Sequence, residues 1–161
     1  MVIRFAEHAR EIVRQAEEEA EDAGSPVIEA EHLLLAMTGE HGIEARDVLA
    51  SAGLDRDGIR AALDREFRQS LGAAGVTLPA GGLPRASRDP ARRARLAASG
   101  KLVLERALKA ALGQRQIRPG HLLLGVLAAQ AGTVPRALAL AGVDSGDLAA
   151  RTRQALDRSQ P

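Results

Sequence analysis

The 161-residue sequence has no cysteine, tryptophan or tyrosine, and its two phenylalanines, Phe5 and Phe67, are its whole complement of large aromatic rings. Without thiols there is no disulfide and no thiolate-bound metal, and the composition fits a reducing compartment. With so few rings, a core drawn from the 45% hydrophobic residues has to be aliphatic, built of Leu, Ile, Val and Ala. No run approaches the roughly 20 apolar residues of a membrane-spanning helix. The opening MVIRFAEHAR meets charge at once and has no apolar stretch of the secretory type. A soluble, cytoplasmic protein without a membrane partner is expected. No segment shows the two-residue alternation or the β-branched density of a strand, so the fold class is expected to be all-α.

Chemistry is equally sparse. Serine and threonine are scattered, without a His/Asp partner at recognisable spacing, so no catalytic nucleophile is expected. The four histidines are His8, His32, His41 and His121. A metal site needs several ligands to converge, and nothing in this spacing calls for that. No G-x-x-x-x-G-K-[ST] motif is present; Gly100-Lys101-Leu102 lacks both the first glycine and the hydroxyl. The chain is not expected to hydrolyse ATP, to be an enzyme, or to need a cofactor.

Charge is unevenly placed. The net +1 hides a first part, residues 1–70, with 8 basic and 16 acidic side chains, and a second, residues 71–161, with 14 basic and 5 acidic. Arg85, Arg88, Arg92, Arg93, Arg95 and Lys101 form a basic run. Such a run can meet phosphates, and a nucleic-acid-binding second half is the alternative reading; without interleaved aromatics or a base-reading motif, a solvated face explains it better.

Apolar residues recur at helical spacing nearly throughout. Phe5, Ala9, Ile12, Val13, Ala16 and Ala20 define a first helix, which Gly24-Ser25-Pro26 stops. A second helix starts near Glu31 and carries Leu33, Leu34 and Leu35. A third covers about Glu44 to Ala52 before Gly53, and a fourth starts after Asp55, an N-cap residue type, and places Ile59, Leu63 and Phe67 on one face. Residues 70–90 are crowded with glycine and proline and read as a linker. The pattern then restarts, with a helix expected from about Ala91 to Leu112. Gly24, Ile28, His32, Gly53 and Ile59 are echoed by Gly113, Ile117, His121, Gly142 and Leu148, each pair 89 positions apart. One offset across five landmarks marks a tandem duplication of a four-helix unit. A unit of that size is marginal alone, so the two are expected to pack on each other.

The residues Gly24, Ile28, Glu31-His32-Leu33-Leu34-Leu35, Gly42-Ile43-Glu44-Ala45 and Gly53-Leu54 resemble the first Clp repeat of the N-terminal domain of Clp unfoldases, especially the ClpC type. Gly113, Ile117, His121-Leu122-Leu123-Leu124-Gly125-Val126 and Ala141-Gly142-Val143 resemble the second. The resemblance implies an all-α, pseudo-two-fold domain of eight helices: a first repeat at 1–69, a linker at 70–90 and a second repeat at 91–161. It implies a stand-alone protein- or peptide-binding module of a Clp protease system, acting as adaptor, regulator or decoy; the N-domain of a full Clp ATPase is an alternative. Its partners would be Clp unfoldase or protease components, their substrates or adaptors, and cyclic peptide ligands.

The resemblance also points to residues. ClpC-type N-domains read Gly-Thr-Glu-His at the start of the second helix of each repeat, and the Glu contacts the guanidinium of phosphorylated arginine. Glu31 matches that position, and a carboxylate suits a guanidinium by two parallel hydrogen bonds. In the second repeat the motif reads Arg118-Pro119-Gly120-His121, so Gly120 has no side chain to offer. His32 and His121 are expected to anchor their helix starts. Val2 and Phe5 fall where the family carries N-terminal aromatics and are the expected cyclic-peptide or adaptor surface.

Overall fold

The structure, a computed structural model, describes residues 3–79 and 93–160. The first repeat runs β1 (Arg4–Phe5), α1 (Glu7–Asp22), β2 (Val27–Ile28), α2 (Ala30–Ala36), a 3-10 turn at Glu40–Gly42, α3 (Ile43–Ser51) and α4 (Arg56–Ala73). The second runs β3 (Arg95–Leu96), α5 (Ala98–Ala110), β4 (Gln116–Ile117), α6 (Pro119–Leu127), α7 (Thr133–Leu140) and α8 (Ser145–Arg158).

Each helix follows from local sequence. On α1 the buried residues Ala9, Ile12, Ala16 and Ala20 lie one or two turns apart, and glutamates and arginines take the remaining surface. The helix stops where Gly24 enters the left-handed region at φ 69°, and Gly113 does the same after α5 at φ 84°. Asp55 caps α4 by accepting from the Gly58 N–H at 2.8 Å, and its counterpart Asp144 accepts from Gly146 at 2.8 Å and Asp147 at 3.1 Å. The leucines Leu33, Leu34 and Leu35 are all buried, and so are Leu122, Leu123 and Leu124, because α2 and α6 run through the middle of the domain. On α5 the buried positions Gly100, Val103 and Ala107 match Ala9, Ile12 and Ala16 at an offset of 91, not 89. Two residues are therefore missing between the first helix of the second repeat and the glycine that follows it.

The repeats interlock. β1 pairs in parallel with β4, placing Phe5 opposite Ile117, and β2 pairs in parallel with β3, placing Ile28 opposite Leu96. The Ala6 N–H donates to the Ile117 carbonyl and the Ala97 N–H to the Ile28 carbonyl, both at 2.9 Å. Helix α4 packs on α7 of the other repeat, and α8 packs on α3. These reciprocal pairings are the pseudo-two-fold.

Three local expectations change. Strands do occur, as four two-residue pieces; they are too short to write an alternation, and their partners lie far away in the chain. Helix α5 begins at Ala98, not near Ala91, because Arg95 and Leu96 are extended and the Arg95 N–H donates to the Pro26 carbonyl at 3.1 Å. Helix α4 continues to Ala73, into the stretch expected as a linker, and Phe67 lies off its buried face. Phe67 is 45% exposed while its neighbour Glu66 is 5% exposed. Glu66 turns inward because the Arg136 Nε on α7 donates to its carboxylate at 2.9 Å and the Ser70 hydroxyl at 2.5 Å.

Candidate functional site

The two helix starts that open α2 and α6 share one construction. His32 is the third residue of α2, and its Nδ1 accepts the Glu29 N–H at 2.9 Å. His121 does the same for the Arg118 N–H at 2.9 Å. Both rings are buried. Burial lowers the pKa of His32; burial and the Arg118 guanidinium push that of His121 down to about 4. The rings are therefore neutral at pH 7, with Nδ1 as acceptor and the proton on Nε2. No cluster of three metal-ligating side chains occurs among the described residues. His8 and His41 meet elsewhere, with their Nδ1 atoms 3.0 Å apart.

Beyond the histidine the two starts differ. Glu31 and Glu29 face a cleft of about 580 Å³, whose other wall comes from the second repeat: Ser99 and Arg106 of α5, with Val134 and Pro135 of α7. The Ala30 N–H donates to the Ser99 Oγ at 3.1 Å, tying the start of α2 to α5 of the other repeat. Burial, then a hydrogen bond with Glu29 and the charge of Glu29, push the Glu31 carboxyl up to about 7. Two acids held together with only part of their charge expressed are poised for a cation. A guanidinium would draw the remaining proton off and donate two hydrogen bonds to the carboxylate in return.

At the second start the space beside residue 120 is filled. Gly120 is buried, and a Cβ placed on it would lie 2.7 Å from Leu156 Cδ2 and 3.1 Å from Glu44 Cγ. The Gly120 N–H donates to Glu44 Oε1 at 3.0 Å, so a carboxylate of the first repeat caps α6. The Arg118 guanidinium donates to the Leu156 carbonyl at 2.8 Å and holds the end of α8 over the site. Leu156 is the counterpart of Phe67 at the 89-residue offset. Where residue 120 is glycine, Leu156 fills the space; where residue 31 is glutamate, its counterpart Phe67 stays outside.

Phe5, on β1, is half-buried and packs against the core beside β4, the strand that leads into α6; it is not brought to Glu31. Val2, Arg85, Arg88 and Arg92 lie outside the described residues, and Arg93, Arg95 and Lys101 are exposed. Sequence reasoning missed Glu29, which acts on Glu31 from two residues away, and Glu44, Ser99 and Arg106, which act across the repeat boundary. Only the near-identity of the two helix starts hinted that their neighbours would be exchanged.

Two interlocked four-helix repeats, with a carboxylate-lined cleft where they meet, define a duplicated helical domain. The family model for the Clp repeat (R) N-terminal domain matches residues 4–111, and the chain belongs to this family. The rice (Oryza sativa subsp. japonica) chloroplastic chaperone protein ClpC1 is 31% identical over 150 residues, 92% of this chain and 15% of that protein. An ATP-dependent Clp protease ATP-binding subunit ClpA homolog of Porphyra purpurea is 30% identical over 158 residues, 97% of this chain and 17% of that protein. The chain thus spans about a sixth of the length of these relatives. The crystal structure of the N-terminal domain of the Clp-associated chaperone ClpD from Arabidopsis thaliana superposes with a TM-score of 0.65 at 21% identity, covering 98% of this chain and 97% of that one. That likeness establishes the fold. Among the described residues no helix is long and apolar enough to cross a membrane.

Proposed function

We propose that this chain is a non-catalytic protein- and peptide-binding module of a Clp protease system, working as an adaptor, regulator or decoy. Its binding site is the Glu31 cleft. The carrying observation is the composition of that cleft: Glu29 and Glu31 on one wall, Ser99 and Arg106 on the other. Paired carboxylates suit a guanidinium, and a facing arginine and hydroxyl suit a phosphate. A phosphorylated arginine carries both groups. One such site operates, not two, because Leu156 and Glu44 occupy the space at Gly120. The relatives, a chloroplastic chaperone ClpC1 and an ATP-binding subunit of a Clp protease, support the setting. Phe5, beside β4, contributes to an adaptor or cyclic-peptide surface at the opposite helix start.

The test is affinity capture with tagged parent protein and a Glu31→Ala variant. Recovery of Clp components or their substrates by the parent, reduced for the variant, is expected. Recovery of neither by the parent removes the Clp-module reading.

A further inference from the structure

The duplication has produced two corresponding clefts of opposite charge. The first, of about 640 Å³, lies beside α1, α2 and α4 and is lined by Glu19, Asp22, Glu31, His32, Leu35 and Arg60 among others. The second, of about 430 Å³, lies beside α5, α6 and α8, where His121 and Leu124 replace His32 and Leu35 at the 89-residue offset. Its walls hold four cations, Arg106, Lys109, Arg118 and Arg153, against one acid, Asp157. Arg118 is fixed by its bond to the Leu156 carbonyl. No ion pair engages Arg106, Lys109 or Arg153 among the described residues, so their charges are free to meet a ligand. Cations outnumber acids four to one in this concave place, while the corresponding cleft of the first repeat sets Glu19, Asp22 and Glu31 against Arg60.

We propose that this second-repeat cleft docks an acidic, partly apolar peptide segment of a partner protein. The floor decides the ligand class. The buried Leu124 and Leu156 line it together with the cations, so an apolar side chain flanked by carboxylates suits both kinds of lining. A nucleic acid fits less well: it asks for an extended cationic track or for rings that stack on bases. The second repeat has neither tryptophan, tyrosine nor phenylalanine. The site is distinct from the Glu31–Glu29 cleft, with which it shares Arg106 and Ala128 at its edge. The proposal does not depend on phosphoarginine recognition.

The experiment is fluorescence anisotropy with three labelled probes: a short glutamate-rich peptide carrying two leucines, the same peptide with lysine for glutamate, and a short random DNA duplex. Parent protein is compared with a Lys109→Glu/Arg153→Glu variant and with Glu31→Ala. Both reversed positions are exposed and unpaired, so thermal unfolding serves as the control for an intact fold. The acidic peptide should bind the parent at low salt, lose about 10-fold or more in affinity with the double reversal, and be indifferent to Glu31→Ala. No binding of the acidic peptide at low salt, or equal binding by the folded double-reversal variant, overturns the proposal. Tighter binding of the duplex than of the acidic peptide, with the same loss on reversal, overturns it in favour of a nucleic-acid surface.

Discussion

Replacing Gly120 by alanine should destabilise the protein, although alanine is ordinarily the better helix residue. The added methyl carbon would lie 2.7 and 2.8 Å from Leu156 Cδ2 and Cγ, and 3.1 Å from Glu44 Cγ. Comfortable carbon contacts are about 3.5–4.0 Å. Leu156 is 5% exposed and Glu44 7% exposed, so neither can swing freely into solvent. Overpacking of this kind costs about 1–3 kcal/mol, and the gain in helix propensity returns up to about 1 kcal/mol. A net loss of about 1–2 kcal/mol corresponds to a fall of about 3–8 °C in Tm for a chain of this size. Urea unfolding followed by circular dichroism measures it. Leu156→Ala creates the room that the methyl lacks, so the penalty of Gly120→Ala should vanish in that background and the double-mutant cycle should show coupling of about 1–3 kcal/mol. Gly120→Ala as stable as the parent, or effects that simply add, would refute the claim that Leu156 fills this space.

Arg136→Met should cost about 1–2 kcal/mol, since it leaves the buried Glu66 carboxylate with Ser70 as its remaining donor. Burial acts to raise the Glu66 pKa, but the hydrogen bonds from Ser70 and Arg136 outweigh it and hold the carboxyl below its ordinary value. The pair therefore contributes above that ordinary value and is lost as pH falls through the lowered one, so denaturation curves of variant and parent should converge in acid. Glu31 has the opposite sign: its folded pKa of about 7 exceeds the ordinary 4.5, so the folded state holds the extra proton and stability falls as pH rises between the two. Glu31→Gln should flatten that slope in a pH series of urea melts; an unchanged slope would remove the burial argument. Residues 1–79 expressed alone should lack a cooperative thermal transition, because α4 and β1 then lose their partners α7 and β4; a sharp melt would show that the repeats fold independently.

The helices were legible because their signals are local. The α1 stripe, the glycine stops and the Asp55 cap each act within a few residues, and the 89-residue echo exposes the duplication. Phe67 was misplaced because its spacing from Ile59 and Leu63 fits a helical face; what turns it out is a pairing of Glu66 with Arg136 of the other repeat. The strands escaped for the same reason: each is two residues long and its register is set by the opposite repeat. At the candidate site, Glu31, His32, Gly120 and His121 were visible as aligned differences between two copies of one motif. The groups that give those positions their chemistry, Ser99 and Arg106 for Glu31 and Glu44 and Leu156 for Gly120, come from the other repeat or from the far end of the same one. A sequence read along its length shows that Gly120 has no carboxylate; it takes the fold to show that the space is already filled.

The central claim is that divergence of the repeats left one open carboxylate site and closed its twin. Titrating isotopically labelled protein with phosphoarginine, and following backbone amides by NMR, tests it directly. The account predicts shifts concentrated at Ala30, Glu31, His32 and Ser99, abolished by Glu31→Ala, with Gly120 and His121 unmoved. The affinity should rise as pH passes about 7, where Glu31 ionises. Shifts of equal size at both helix starts, or none at Glu31, would contradict it.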